Sequence, residues 1–184
     1  MVALNPPVCE FNKKAPDFNL KDCYGKNFNL DNCKGSKGLL VMFICNHCPF
    51  VQAILPDLVK ITKKLKAYGI NTVAIMANDY IEYPADSPEN MKKLAEDMKF
   101  DFPYLIDETQ EVAKAYGAVC TPDFFGYNTD LRLQYRGRFD ERRKDLEPLS
   151  ENCELLDAMM QISKTQKGPK DQKPSIGCSI KWKE

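Results

Sequence analysis

Leu39–Ile44 is a run of six apolar side chains, and the next four residues are Cys45-Asn46-His47-Cys48. A short strand that is apolar at every position has no face for water, so it must be covered on both sides. From Pro49 the pattern changes to helical spacing, with Val51, Ile54, Leu55, Leu58, Ile61 and Leu65 on one stripe and Gly69 where a helix C-terminus would turn. Pro49 suits a first helical turn, whereas Pro56 falls inside the helix and is expected to kink it. Asn71–Met76 is a second apolar run. Strand, helix, strand in this order predicts a parallel pair with a right-handed crossover, and it sets both cysteines at the junction of strand end and helix start.

The flanking segments extend this unit. Phe18-Asn19-Leu20 and Phe28-Asn29-Leu30 bracket Tyr24-Gly25-Lys26 as a short hairpin. Ser87-Pro88 opens a helix to about Met98, and Tyr104-Leu105-Ile106 is a short strand. Asp107 is expected to cap a helix over 108–116, with Gln110 at the capping-box position and Gly117 as its stop. Asp123–Tyr127 and Leu131–Arg138 read as strands about Asn128-Thr129-Asp130, the second with one buried face. The charged end Arg136, Arg138, Asp140, Glu141, Arg142, Arg143 reads as solvated, with Arg138 and Asp140 the members that could reach a cleft. Ser150 is expected to cap a last amphipathic helix carrying Leu155, Leu156, Met159 and Ile162. The order predicts an α/β fold, a central mixed sheet with helices on both faces, over residues 1–163. Residues 164–184 read as a polar tether with nothing to bury, then a tail whose Ile176, Cys178, Ile180 and Trp182 share one side and should dock on the body.

With 184 residues the chain can bury about 70% of the surface its unfolded form exposes, so no disulfide framework is required. Eight cysteines without a basic and apolar leader predict a cytoplasmic protein with reduced thiols. Twenty-six basic residues balance twenty-six acidic ones, which argues against nucleic acid or an anionic membrane as partner. No apolar run is long enough to span a bilayer.

Three chemistries are open to Cys45 and Cys48. As a redox pair, Cys45 would be the exposed nucleophile of lowered pKa and Cys48 the shielded resolving thiol, helped by the dipole of the helix N-terminus and by an imidazolium at His47. As half of a zinc site they would need a second close Cys or His pair, and His47 is the single histidine. They could also be inert core thiols. Cys120, two residues before Pro122, and Cys178 in the tail are candidate third thiols, while Cys9, Cys23, Cys33 and Cys153 lie in segments without redox context.

Ala15-Pro16-Asp17-Phe18-Asn19-Leu20, Gly25-Lys26, Leu39 to Pro49, Tyr116-Gly117-Ala118 and Thr121-Pro122-Asp123-Phe124-Phe125 together resemble the alkyl hydroperoxide reductase and thiol-specific antioxidant group of the thioredoxin-fold superfamily. The resemblance covers the chain to about residue 163. It implies a thioredoxin-like fold, a cis-proline loop at Thr121-Pro122 facing the Cys pair and pairing with substrate backbone, and an extra strand-helix insertion around Tyr104–Ile106. In the peroxiredoxin register Pro-X-X-X-Thr-X-X-Cys, this chain has Val41 at the Pro position, Cys45 at the Thr position and Cys48 at the peroxidatic position, and Thr121-Pro122 stands where the peroxide-activating Arg is expected. The pattern leans to a thiol-disulfide oxidoreductase acting on a disulfide-bearing protein or small thiol with a thiol electron donor. A thiol-dependent peroxidase is the enzyme alternative, and a thiol-based metal-binding protein using Cys45, Cys48, Cys120 and Cys178 the other. No cofactor or resident metal is expected. The thioredoxin buried acid has no counterpart in Leu39–Ile44, so water or His47 would move the proton.

Overall fold

A computed structural model describes residues 3–144 and 152–184. In chain order the elements are β1 (Ala3–Leu4), β2 (Asn19–Asp22), β3 (Asn27–Asn29), α1 (Leu30–Cys33), β4 (Gly38–Phe43), α2 (Pro49–Ala67), β5 (Ile70–Met76), a 3₁₀ turn (Pro84–Asp86), α3 (Pro88–Asp97), β6 (Tyr104–Ile106), α4 (Glu111–Tyr116), β7 (Cys120–Thr121), β8 (Asp123–Tyr127), β9 (Leu133–Tyr135), α5 (Glu154–Thr165) and β10 (Gly177–Ser179). The main sheet runs β3-β2-β6-β5-β4-β8-β9, and β1-β10-β7 form a smaller one. β4 is parallel to β5 and antiparallel to β8, so both its edges are paired as well as both its faces covered.

The alternation of β4 explains the layers. Leu40, Met42 and Ile44 point into a core completed by Val51, Ile54 and Leu58 of α2, Met91 of α3 and Leu155 and Met159 of α5. Leu39, Val41 and Phe43 point the other way, against Leu30 of α1 and Ala113 and Tyr116 of α4. With no exposed face, β4 has a single place in the molecule, and the chain leaving its end is delivered to a fixed point. The thioredoxin-like α/β architecture, the hairpin, the parallel β4-β5 pair and the β6-α4 insertion match the sequence reading. α2 continues as one helix through Pro56.

Several local expectations fail for identifiable reasons. α4 starts at Glu111, because Gln110 takes a left-handed conformation (φ 64°) and its side chain binds the tail instead of closing a capping box. Asp107 still serves the helix, accepting from the Ala113 amide at 2.7 Å. The Ser150 cap lies outside the described residues, and α5 begins at Glu154 after Cys153. β9 is buried on both faces, since its open edge needs backbone partners. Asn12 donates its amide to Leu133 O at 2.9 Å, Leu133 donates to Lys13 O at 2.9 Å, and Gln172 Nε2 donates to Gln134 O at 2.9 Å. The polar stretch 164–173 is therefore a packed cover and not a free tether.

The charged end is not simply solvated. Arg136 (6% exposed) pairs with Asp123 at 2.9 Å and stacks over Phe125. Arg142 (8%) is held by Asp140 at 2.7 Å and Asp57 at 2.9 Å, and Arg138 forms a two-pronged pair with Glu154. In the tail Cys178 and Ile180 are buried as expected, whereas Trp182 is 40% exposed.

Gly168 lies so close to β9 that a Cβ there would sit 1.9 Å from Gln134 O, a backbone atom with no freedom to yield. Gly168→Ala should cost about 1–3 kcal/mol, the range for forced overpacking, read as a lower urea midpoint. An unchanged midpoint would show that residues 164–173 do not pack on β9.

Candidate active site

The end of β4 delivers Cys45, and Cys48 is the N-terminal cap of α2, where the first amides of the helix have no partner within it. Both sulfurs are interior: Cys45 is 1% exposed and Cys48 0%. The loop between them is clamped by Asp86, which is itself fully buried on the 3₁₀ turn. Asp86 Oδ1 accepts from the Asn46 amide at 2.8 Å, and Oδ2 accepts from Asn78 Nδ2 at 2.8 Å and meets His47 Nδ1 at 2.7 Å. Tyr104 donates its hydroxyl to Asn46 Oδ1 at 3.1 Å, and Gln52 donates to Asn46 O at 2.9 Å. The His47 ring lies parallel to that of Tyr83, with centroids 5.9 Å apart.

Thr121 closes the opposite side. Its peptide bond to Pro122 is cis, and the loop faces the pair as the resemblance implied. Thr121 Oγ1 is 3.3 Å from Cys45 Sγ, and Thr121 O is 3.1 Å from Cys48 Sγ. Cys178 Sγ also lies 3.0 Å from Cys48 Sγ, brought there by β10, which pairs antiparallel with β7 so that Cys178 stands opposite Thr121. Cys45, Cys48 and Cys178 thus form a row of three buried free thiols. Cys120 is next to the row but turns its sulfur to Pro122 O at 3.8 Å, and burial raises its pKa.

The electrostatics invert the expected division of labour. The Cys48 thiol is held below its usual range by hydrogen bonds from Cys45, from the Cys178 side chain and from the backbone amides of Cys178 and Val51, against the cost of burial. As a thiolate it gives up donation to Thr121 O, a single bond against four. The Cys45 thiol is pushed well up, by donating to Cys48, by burial and by the negative charge of Asp86. Burial and the bond to Cys48 raise Cys178 to about 12. So Cys45 is neither exposed nor the more acidic thiol, and the helix terminus favours Cys48.

Cys45 Sγ, a His47 ring nitrogen and an Asp86 carboxylate oxygen all lie within 4.8 Å of one another, and they are the metal-capable cluster among the described residues. Asp86 is the functional candidate the sequence reading missed. It stands one residue before the cap Ser87, and a buried acid there answers the absence of one in β4. Gln110, expected in a capping box, and Asn78, which the sequence did not single out, fasten the tail that carries Cys178: Gln110 Nε2 donates to Lys181 O at 2.8 Å, and Asn78 Oδ1 accepts from the Lys181 amide at 2.9 Å.

Residues 11–139 match the AhpC/TSA family, and the chain belongs to it. The thiol-disulfide oxidoreductase ResA of Bacillus thuringiensis subsp. konkukian (strain 97-27) is 25% identical over 138 residues, 75% of each chain. An uncharacterized conserved protein from Geobacillus kaustophilus superposes with a TM-score of 0.92 at 44% identity, covering 100% of this chain and 97% of that one. Peroxidoxin BcpB from Mycobacterium tuberculosis shares the fold at 18% identity, with a TM-score of 0.64 over 84% of this chain and 96% of its own.

Replacing Asp86 separates its two effects. Asp86→Asn removes the negative charge beside Cys45, so the Cys45 titration, followed by its 13Cβ shift, should move to lower pH. Asp86→Ala leaves the Asn46 amide and Asn78 Nδ2 buried without an acceptor and should cost about 1–3 kcal/mol. A Cys45 midpoint that stays in place in Asp86→Asn contradicts the electrostatic account.

Proposed function

We propose that this protein is a thiol-disulfide oxidoreductase whose Cys45 and Cys48 cycle between dithiol and disulfide, reducing or exchanging the disulfide of a protein or a small thiol. The observation that carries the reading is the hydrogen-bonded Cys45-Cys48 pair at the start of α2, with one sulfur supplied with donors and the other kept protonated. The family and the ResA relative support the same chemistry.

Cys48 thiolate attacks one sulfur of the partner disulfide, forming a mixed disulfide and releasing the other sulfur as thiolate. Cys45 then loses its proton and attacks Cys48 Sγ; the Cys45–Cys48 bond forms, the mixed disulfide breaks, and the partner departs as a dithiol. Asp86 is the buried base near Cys45, and its contact with His47 connects it to the surface. A thiol donor returns the pair to the dithiol.

A thiol peroxidase is the second reading, favoured by one observation: Cys48, the better stabilised thiolate, occupies the peroxidatic register position. It requires hydrogen peroxide to convert Cys48 to a sulfenic acid trappable by dimedone.

Insulin reduction with dithiothreitol tests the main reading. Wild type should accelerate it, Cys48→Ser should fall to the uncatalysed rate, and Cys45→Ser/Cys178→Ser, which lacks both thiols next to Cys48, should accumulate a mixed disulfide on Cys48. A mixed disulfide trapped on Cys45 in Cys48→Ser, with none on Cys48 in Cys45→Ser/Cys178→Ser, contradicts the assignment of roles.

A further inference from the structure

Resting on that reading of the pair, we propose that Cys178 is a third redox thiol and that β10 is an internal substrate, an extended strand docked on the Thr121 backbone with its cysteine against Cys48. Three observations converge. An extended partner needs a free backbone edge beside the thiols, and β10 takes that edge at β7, with Cys178 opposite Thr121 and Ser179 opposite Cys120. Its sulfur lies 3.0 Å from Cys48 Sγ, while the Cys178 amide donates to the same sulfur. The placement is also enforced on both sides of Cys178. Gly177 packs so tightly that a Cβ would sit 2.1 Å from Thr121 O, and the Ile180 amide donates to Val119 O at 3.0 Å. Lys181 is then held by Asn78, Asp79 and Gln110. Asn78 reaches Asp86 as well, so tail and active loop share one hydrogen-bonded chain.

The step is an exchange without net oxidation. Once Cys45 and Cys48 are joined, Cys178 loses its proton and its sulfur attacks Cys48 Sγ. The Cys48–Cys178 bond forms, the Cys45–Cys48 bond breaks, and Cys45 leaves as a thiolate that takes up the proton. Oxidation is thereby passed to the tail and the strand is locked over the loop, whereas in the dithiol form β10 is held by hydrogen bonds alone and an external disulfide can replace it. Cys178 also lines a surface hollow of about 400 Å³ with Pro49, Phe50 and Ile176, edged by Arg143 and Lys144, which suits an anionic small disulfide such as oxidised glutathione.

The test is disulfide mapping by mass spectrometry after incubation with oxidised glutathione. In Cys45→Ser, Cys48 should take up glutathione and Cys178 should displace it, giving a Cys48–Cys178 peptide that is lost in Cys45→Ser/Cys178→Ser. Gly177→Ala keeps every thiol but displaces β10, so added to Cys45→Ser it should also lose that peptide and retain glutathione on Cys48. A Cys45→Ser protein that stops at the glutathione adduct, or that joins Cys48 to another cysteine, overturns the proposal while leaving the Cys45–Cys48 reading intact. If wild type forms neither a Cys45–Cys48 nor a Cys48–Cys178 disulfide, it is that underlying reading which fails.

Discussion

A carboxylate with no exposure cannot be left unpaired in a protein interior, and the satisfaction of Asp86 organises everything near the thiols. Its two oxygens gather the Asn46 amide, the His47 ring and the Asn78 side chain, groups from two separate segments. The loop between the cysteines is thereby fixed to the 3₁₀ turn before α3, and through Asn78 to the tail. The same charge sits within 4.8 Å of Cys45 and adds to the bond to Cys48 and to burial in keeping that thiol protonated. One buried acid therefore sets loop geometry and tail position and contributes to the protonation difference between two neighbouring sulfurs.

Thr121 plays the complementary part. It offers its hydroxyl to Cys45, its carbonyl to Cys48 and its backbone edge to Cys178, so a two-residue strand touches every member of the thiol row. Two thiols that are 0–1% exposed cannot meet a partner while this arrangement stands. Opening of the small β1-β10-β7 sheet is the movement that a reaction with any large disulfide demands. That sheet consists of strands of two or three residues, far less than the seven-stranded sheet that carries β4.

Much of this was legible from the residues. Leu39–Ile44 announced a strand covered on both faces, the spacing from Val51 to Leu65 announced α2, and their junction located the pair. The tail pattern foretold docking and a buried Cys178. What stayed hidden were long-range partners. Nothing local marks Asp86 as buried, because it is an ordinary acid beside a helix cap until Asn46 and Asn78 close over it. Gln110 fits a capping box by spacing, yet its amide serves Ala77 and Lys181 instead. Arg136 and Arg142 look like solvent-facing charges until Asp123 and Asp57 pair with them. The exposed, acidic Cys45 was an inference from order along the chain, and two of the four donors around Cys48 come from β10, 130 residues away.

The central claim is that the two thiols at the start of α2 form one reversible two-electron couple. The most direct measurement is a redox titration in glutathione buffers of stepped potential, with alkylation and peptide mapping at each step. The account predicts a single reversible transition in which Cys48 enters a disulfide with Cys45 or, after exchange, with Cys178, its ratio to the dithiol changing tenfold for each step of about 30 mV, while Cys9, Cys23, Cys33 and Cys153 stay free. A chain whose Cys45 and Cys48 remain dithiol across the whole range, or whose first disulfide joins two of those other four, would contradict it.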